Sequence, residues 1–347
     1  MTDFNSTLFC GWDIGGAHIK LAIADKDATL LDVKQVPCAL WKGIEQLELS
    51  LDEILASLTG KSFVHFVTMT GELVDAFADR EAGVNAIIDC VESRFKQPIH
   101  YFAGNGQYLN ADMAKRQWTD VASMNWQASA SFAAKQIQQG LFVDIGSTTC
   151  DIIAINNHQT LSSGNTDYAR QRSGELVYTG AIRTPLMQIA EEAPLHGERI
   201  PLSAEWFACS ADVWLLLNKI TAESIQDHSP DGKPWDKTHS TMRLARMLAC
   251  DIRDASEQQW LNVAMFFAEK QLQRITQACY QVLSRHNDWA PNSPLIGAGF
   301  GRFIIEQCAQ RLGRPYVDLS SLFNENEEAA AHAPCAALAI LAAEELS

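Results

Sequence analysis

The order of apolar and polar positions divides the chain into β-like and helical stretches. Phe9–Ile14 and His18–Ala24 are apolar, β-like runs with Gly15 and Gly16 between them, and Thr29–Val36 alternates with a period of two. Together they predict a three-stranded meander with a glycine-rich first turn. From Gly43 to Leu58 the residues Ile44, Leu47, Leu51, Ile54, Leu55 and Leu58 fall at helical spacing. Ser62–Thr68 is β-branched and aromatic and predicts a strand. Val84–Phe95 predicts an amphipathic helix, Ile99–Phe102 a short strand, and Met113–Gln138 one or two helices leading out of the lobe.

The opening theme then returns. Leu141–Asp144 is an apolar strand, Ile145–Thr149 a turn of small residues, and Cys150–Ile155 the returning strand. This repeat of arrangement, rather than of sequence, predicts two similar lobes facing one another. Ser203–Arg285 is largely helical, broken by the loop Ser229–Thr238 with its Pro-Asp-Gly-Lys-Pro segment. Leu295–Ala298 reads as a strand entering Gly297-Ala298-Gly299, and Arg302–Leu312 as a helix ending near Gly313. Tyr316–Leu319 is a further strand and Glu325–Leu346 an Ala-rich closing helix. The expected fold is α/β, with lobes at 1–135 and 136–347 and a helical insertion at about 203–285 in the second.

Composition narrows the function. A chain of 347 residues has room for two domains, and 47% hydrophobic with 20% charged residues is an ordinary globular balance. A net charge of −15 with no basic run argues against nucleic acid and anionic membrane as partners and leaves small-molecule substrates. A phosphorylated substrate must then be held by backbone amides, a metal ion and a few placed cations. The nine Cys are odd in number, widely spaced and without a CxxC pair, which predicts reduced thiols and no zinc site. Met1–Thr7 is polar and lacks a basic start, and no apolar run nears the ~20 residues of a membrane span. The expected location is the cytoplasm. The sequence leaves the oligomeric state open.

Three constellations carry chemistry. In Asp13-Ile14-Gly15-Gly16-Ala17-His18-Ile19-Lys20 an acid at a strand end precedes two glycines. Glycines let backbone N–H groups approach phosphate oxygens, and the carboxylate can hold Mg²⁺ through water. Lys20 reads either as a phosphate contact or as a surface lysine. The second constellation, Asp144-Ile145-Gly146-Ser147-Thr148-Thr149-Cys150-Asp151, repeats the acid and turn and adds hydroxyls for phosphate or metal-bound water. Two such turns place Asp13 and Asp144 across one expected cleft, with Asp151 a further candidate metal ligand. The third is Gly297-Ala298-Gly299-Phe300-Gly301, where Gly297 and Gly299 stand between a strand and a helix and permit close approach of a phosphorylated or flat group.

Acid–glycine turn, second acid turn and late Gly-x-Gly turn, in this order, resemble the actin-like ATPase superfamily of sugar kinases, actin and heat-shock chaperones. The narrower resemblance is to its hydantoinase/oxoprolinase-related branch, and within it to the methanofuran-biosynthesis synthases. It is carried by Thr68-Met69-Thr70-Gly71-Glu72-Leu73, Gly174-Glu175-Leu176-Val177-Tyr178-Thr179-Gly180, Arg183-Thr184-Pro185 and Gly297–Gly299 besides the two acid turns.

The resemblance implies two ribonuclease-H-like lobes around a phosphate and metal cleft. It also implies a transferase that condenses an aminomethylfuran-methyl diphosphate with the phenol of γ-glutamyltyramine, or a related phenol, to an aryl ether and diphosphate. Mg²⁺ is the expected cofactor, and ATP is not expected to be required. The competing readings are an ATP-dependent kinase or hydantoinase/oxoprolinase-type hydrolase, and a nucleotide-binding actin-like or chaperone-like protein.

Further residues stay open at this level. Glu72 reads as a base, as an ammonium-binding acid or as a helix-start acid. Arg183 reads as a diphosphate clamp or a surface arginine, and Tyr178 as a stacking platform or a core tyrosine. Asp231 and Lys233 sit in a loop that reads as a lid or as a solvated loop. Arg243 and Arg246 share a helical face that reaches phosphate or solvent. His18 is the histidine nearest the first turn.

Overall fold

The computed structural model describes residues 7–58 and 61–346, so the first six residues of the polar opening lie outside the described residues. The first strands are β1 (Thr7–Ile14), β2 (His18–Ala24) and β3 (Leu30–Pro37), followed by helix α1 (Ile44–Ser57) and β4 (Ser62–Met69). Helix α2 (Arg80–Arg94), β5 (Ile99–Phe102) and β6 (Tyr108–Leu109) complete the first sheet. Where one or two helices are expected over 113–138 the chain forms three: α3 (Ala111–Arg116), α4 (Trp118–Val121) and α5 (Asn125–Gln136).

The second acid turn joins β7 (Gln139–Ile145) to β8 (Cys150–Asn156), followed by β9 (Gln159–Leu161), α6 (Asp167–Ser173) and β10 (Leu176–Val177). Next come α7 (Leu186–Ile189) and the hairpin of β11 (Glu192–Leu195) and β12 (Glu198–Pro201), and the stretch 203–285 holds α8 (Ser210–Leu216), α9 (Lys237–Met247) and α10 (Glu257–Leu283). Then come β13 (Leu295–Ala298), α11 (Arg302–Leu312), β14 (Tyr316–Asp318), α12 (Glu327–Ala331) and α13 (Ala333–Leu346).

The described residues form two compact units. One is drawn from Met1–Gln139, Ile153–Arg170 and Leu319–Ser347, the other from Gly140–Ile152 and Gln171–Asp318. The closing segment therefore belongs with the first unit, where a simple division near 135 places it with the second. The reason is steric. A Cβ at Gly11 of β1 would sit 2.2 Å from the Cys335 carbonyl oxygen, so the Ala-rich α13 packs directly on the β1 backbone. Helix α13 also runs beside α5, where Phe132 stacks on Phe323 at 4.3 Å.

In the first unit the sheet order is β3-β2-β1-β4-β5-β6, with β1 antiparallel to β2 and parallel to β4. The second sheet runs β10-β8-β7-β13-β14, and β13 is parallel to both β7 and β14. A meander leading into parallel strands is the ribonuclease-H-like unit of the actin-like ATPase fold, as the turn pattern implies. Local signals set the helix ends. Asp79 accepts from the Ala82 amide at the start of α2, Ser256 and Gln259 form a capping box on α10, and Gly313 ends α11 in the left-handed conformation with φ 64°.

The face of β1 opposite α13 carries Trp12, fully buried with Ile14, Ile87 and Val91. The Trp12 indole N–H donates to His65 Nδ1 at 3.1 Å, and His65 lies edge-on to Phe95 with ring centroids 4.6 Å apart. Burial holds the His65 pKa down at about 4. The unfolded chain binds a proton here near pH 6.5 while the folded chain does not. Stability is therefore complete above pH 6.5 and falls by about 3 kcal/mol as the pH drops toward 4. His65→Gln keeps an acceptor for Trp12 and does not titrate. Its denaturant midpoint should vary less over pH 4–6.5 than that of the wild type, and parallel curves would reject the assignment. All nine cysteines are free, and all but Cys250 are buried.

Candidate active site

The first acid turn is built by strand pairing. Asp13 stands next to last on β1, in register with Lys20 on β2 and with Thr68 on the parallel β4. The Gly15 N–H donates to the His18 carbonyl at 3.0 Å and closes the turn. Around it, the Leu40 amide donates to the Gly16 carbonyl and the Thr70 amide to the Ile14 carbonyl. Asp13 is 1% exposed. Its Oδ2 takes the Lys20 ammonium at 3.1 Å, while its Oδ1 is buried without a partner, as is Thr68 Oγ1 beside it. Lys20, a candidate for phosphate, thus sets its ammonium on Asp13.

Glu72 follows on a short 3-10 turn, Gly71–Leu73, at the end of β4. That turn is pressed from two sides. A Cβ at Gly71 would meet the Gly15 backbone at 3.3 Å, and one at Gly83 of α2 would meet the Glu72 carbonyl oxygen at 2.4 Å. Glu72 is 1% exposed, and burial raises its pKa above the usual carboxylate range. Ser123 Oγ donates to Oε1 at 2.6 Å and Arg80 Nη2 donates to the same oxygen at 3.2 Å.

In the second unit the Gly146 N–H donates to the Thr149 carbonyl at 3.0 Å, the same closure as Gly15 to His18. Gly180–Arg183 wraps this turn. The Ala181 amide donates to the Gly146 carbonyl, and the Ile182 and Arg183 amides donate to the Ser147 carbonyl. A Cβ at Gly180 would lie 2.4 Å from that carbonyl, so glycine is required for the approach. Gly299, with φ 80°, comes in from β13. A Cβ there would strike Asp144 Oδ1 at 2.2 Å. The structure thus gathers Asp144, Gly146, Ser147, Thr148, Thr149, Arg183 and Gly299 at one end of the second sheet. Asp144 is 8% exposed; Asp151 is half-buried on β8, paired with Leu176.

Several candidates take other places. The space left by the missing side chain of Gly297 is filled by the Tyr316 ring, 2.6 Å from where a Cβ would stand, so no ligand approaches there. Tyr178 is 45% exposed, which removes the core reading. The Arg183 guanidinium is partly exposed, 3.8 Å from Asp227.

Arg243 is fully buried instead of facing phosphate. It donates to Asp212 at 2.8 Å and Asp231 at 2.9 Å and lies 4.8 Å from the Trp235 ring centroid. Arg246 also binds Asp231, at 3.2 Å. The 229–238 loop is therefore pinned through Asp231 to α9. Turning Arg243 away would leave the buried Asp212 carboxylate uncompensated, which holds the arginine where it is.

The matching family model is Hydantoinase/oxoprolinase, over residues 64–345. The chain belongs to the hydantoinase/oxoprolinase family. Among curated members it is 34% identical, over 87% of this chain and 88% of the relative, to the (4-{4-[2-(gamma-L-glutamylamino)ethyl]phenoxymethyl}furan-2-yl)methanamine synthase of Methanocaldococcus jannaschii. The enzyme of that name from Methanococcus vannielii is 30% identical over 53% of this chain and 81% of its own. Of solved structures, nucleotide-free acetone carboxylase superposes with a TM-score of 0.56 at 11% identity, covering 89% of this chain and 68% of that one. That likeness concerns the fold alone.

No group of three or more His, Cys, Asp or Glu able to hold a metal ion occurs among the described residues. The open, buried Asp13 Oδ1 does fit an ion that keeps most of its water shell, as Mg²⁺ does. Sequence reading missed the supports. Gln271 of α10 donates to Thr179 Oγ1 and the Gly180 carbonyl, and itself accepts from the Trp214 indole at 2.9 Å. Thr184 closes on Gly180. A fully buried Gln on an otherwise apolar helix face was the available sign. Glu175 is likewise structural, buried and paired with Arg285 at 2.8 Å.

Proposed function

We propose that the protein is an aryl ether synthase of methanofuran-type cofactor biosynthesis. It joins the furylmethyl carbon of an aminomethylfuran diphosphate to the phenol oxygen of γ-glutamyltyramine and releases diphosphate. The observation that carries this is the 34% identity, sustained over 87% of the chain, to a synthase whose named product contains a phenoxymethylfuran. An aryl ether of this kind needs a phenol nucleophile and a furylmethyl carbon bearing a leaving group, and the furan ring can share positive charge as that group departs.

The chain's own groups divide the work. In the second unit the backbone N–H groups of the Gly146–Thr149 turn other than the Gly146 amide that closes it, with the Ser147, Thr148 and Thr149 hydroxyls, bind leaving-group oxygens. Arg183, fixed to the second turn through its own amide, adds a cation there. Tyr178 offers an exposed ring to a flat substrate. In the first unit Asp13 would hold Mg²⁺ through its open oxygen, and the ion when bound would neutralise charge growing on diphosphate. The expected location is the cytoplasm. Among the described residues no helix is long and apolar enough to cross a membrane.

A pre-activated diphosphate already supplies the driving force, so ATP is redundant. Purified protein incubated with the furan diphosphate, γ-glutamyltyramine and Mg²⁺ should yield the ether by mass spectrometry, with diphosphate in equal amount and no nucleotide added. A reaction that runs only with ATP, giving ADP one-for-one with product, would sink this reading in favour of a kinase-like one.

A further inference from the structure

Glu72 has two unlike oxygens. Oε1 is held twice, by Ser123 Oγ and by Arg80 Nη2, and Arg80 Nη2 also donates to Ser123 Oγ at 3.0 Å, closing a triangle. Oε2 is buried and has no partner, and Arg80 Nε is likewise buried without one. One acceptor and one donor thus stand open on a single ion pair. A hydroxyl group has both complements, an O–H to donate to a carboxylate oxygen and lone pairs to accept from a guanidinium N–H.

Leaving such groups buried and unmade is costly, so a fold that keeps them has a reason to do so. The backbone says the same of Ser123. It is a non-glycine residue at φ 56°, brought to Glu72 by the β-bridge between Ala122 and Met69. Residues held in sparsely populated conformations gather at sites where position matters.

We infer that Glu72 is the proton acceptor for the attacking phenol, with Ser123 and Arg80 as the residues that position it. The inference rests on the ether-forming reading above. In the step, the phenol O–H proton passes to Glu72 Oε2 and the phenol oxygen forms its bond to the furylmethyl carbon. The carbon–oxygen bond to diphosphate breaks, and its electron pair leaves with diphosphate. Glu72 later returns the proton to solvent. Burial suits the task, because a carboxylate made more basic lies closer to a phenol in proton affinity.

The charged or titratable groups on the elements packed around Glu72 come from α2, α4 and the first turn. They are Arg80, Glu81, Asp89, Cys90, Glu92 and Arg94 on α2 with its capping Asp79, Asp75 after the turn, Asp120 on α4, the Asp13–Lys20 pair and His18 on the first turn, and Lys42 beside Leu40. Among the described residues Arg80 is the one of these that bonds Glu72.

The test is the pH profile of kcat for ether formation. Glu72→Gln should lower kcat by roughly 10²–10⁴-fold and erase the acidic limb. Ser123 and Arg80 both favour the carboxylate, so removing either raises the pH at which it protonates. Ser123→Ala and Arg80→Gln should each move the acidic limb upward by about one pH unit. Arg80→Lys, which keeps the charge, should move it less than Arg80→Gln. A purely structural role would alter thermal stability and leave the limb in place. An unmoved limb in both Ser123→Ala and Arg80→Gln, with wild-type ether formation intact, overturns the inference and spares the proposed function. Failure of the wild type to form ether overturns the proposed function itself.

Discussion

Asp13→Asn is expected to lower ether formation by roughly 10²–10³-fold, the scale of losing one preorganised group that meets developing charge. The argument starts from the two oxygens of Asp13. Oδ2 is satisfied by Lys20, whose ammonium is one-quarter exposed, and Oδ1 is buried and open. Asparagine keeps the shape and removes the charge that would draw a hydrated Mg²⁺. The fold should lose little. The Lys20 side chain is one-quarter exposed and can turn to water, and the asparagine carbonyl oxygen keeps an acceptor for it. Thermal melting with and without Mg²⁺ separates the effects: wild-type Tm should rise with the ion and the variant's should not. Wild-type turnover by Asp13→Asn at limiting Mg²⁺ would remove Asp13 from the site. Asp144→Asn is the companion experiment, because the second turn repeats the closure of the first.

What could be read from the sequence follows from what is local. The β1–β2 and β7–β8 turns are visible because acid, glycine and two flanking apolar runs are contiguous. The end of α11 at Gly313 is visible because the left-handed conformation favours glycine. Three other features depend on residues far apart in the chain. The docking of α13 turns on the absence of a side chain at Gly11, more than 300 residues away. Ser123 reaches Glu72 only through a bridge between Met69 and Ala122. Gly297 looks like a ligand-approach glycine until the Tyr316 ring is seen to fill its space. The family-like segment 174–185 was recognisable, yet its stiffness comes from Gln271 on a helix nearly a hundred residues later.

Arg243 carries the largest expected effect on stability. On α9 it alternates with residues that suggest an exposed cationic face, and the structure places it at 0% exposure against Asp212, itself at 0%. Removing one partner of such a pair leaves the other charge buried and uncompensated, which costs about 3–5 kcal/mol. Asp212 makes this acute. Burial already pushes its pKa up, and Arg243 is the charge that opposes the shift. Its other oxygen accepts from the Cys209 amide and starts α8, so the loss spreads to that helix. Asp231 would lose one of two arginines and keep Arg246, which should loosen the 229–238 loop without freeing it. Arg243→Met should therefore lower the urea midpoint strongly. The double variant Arg243→Met, Asp212→Asn should recover part of the loss, because the amide keeps an acceptor for Cys209 and carries no charge. At a temperature where the single variant stays folded, its KM for the furan diphosphate should match the wild type. A large rise in that KM with little change in the urea midpoint would return Arg243 to the phosphate-binding alternative that its sequence position left open.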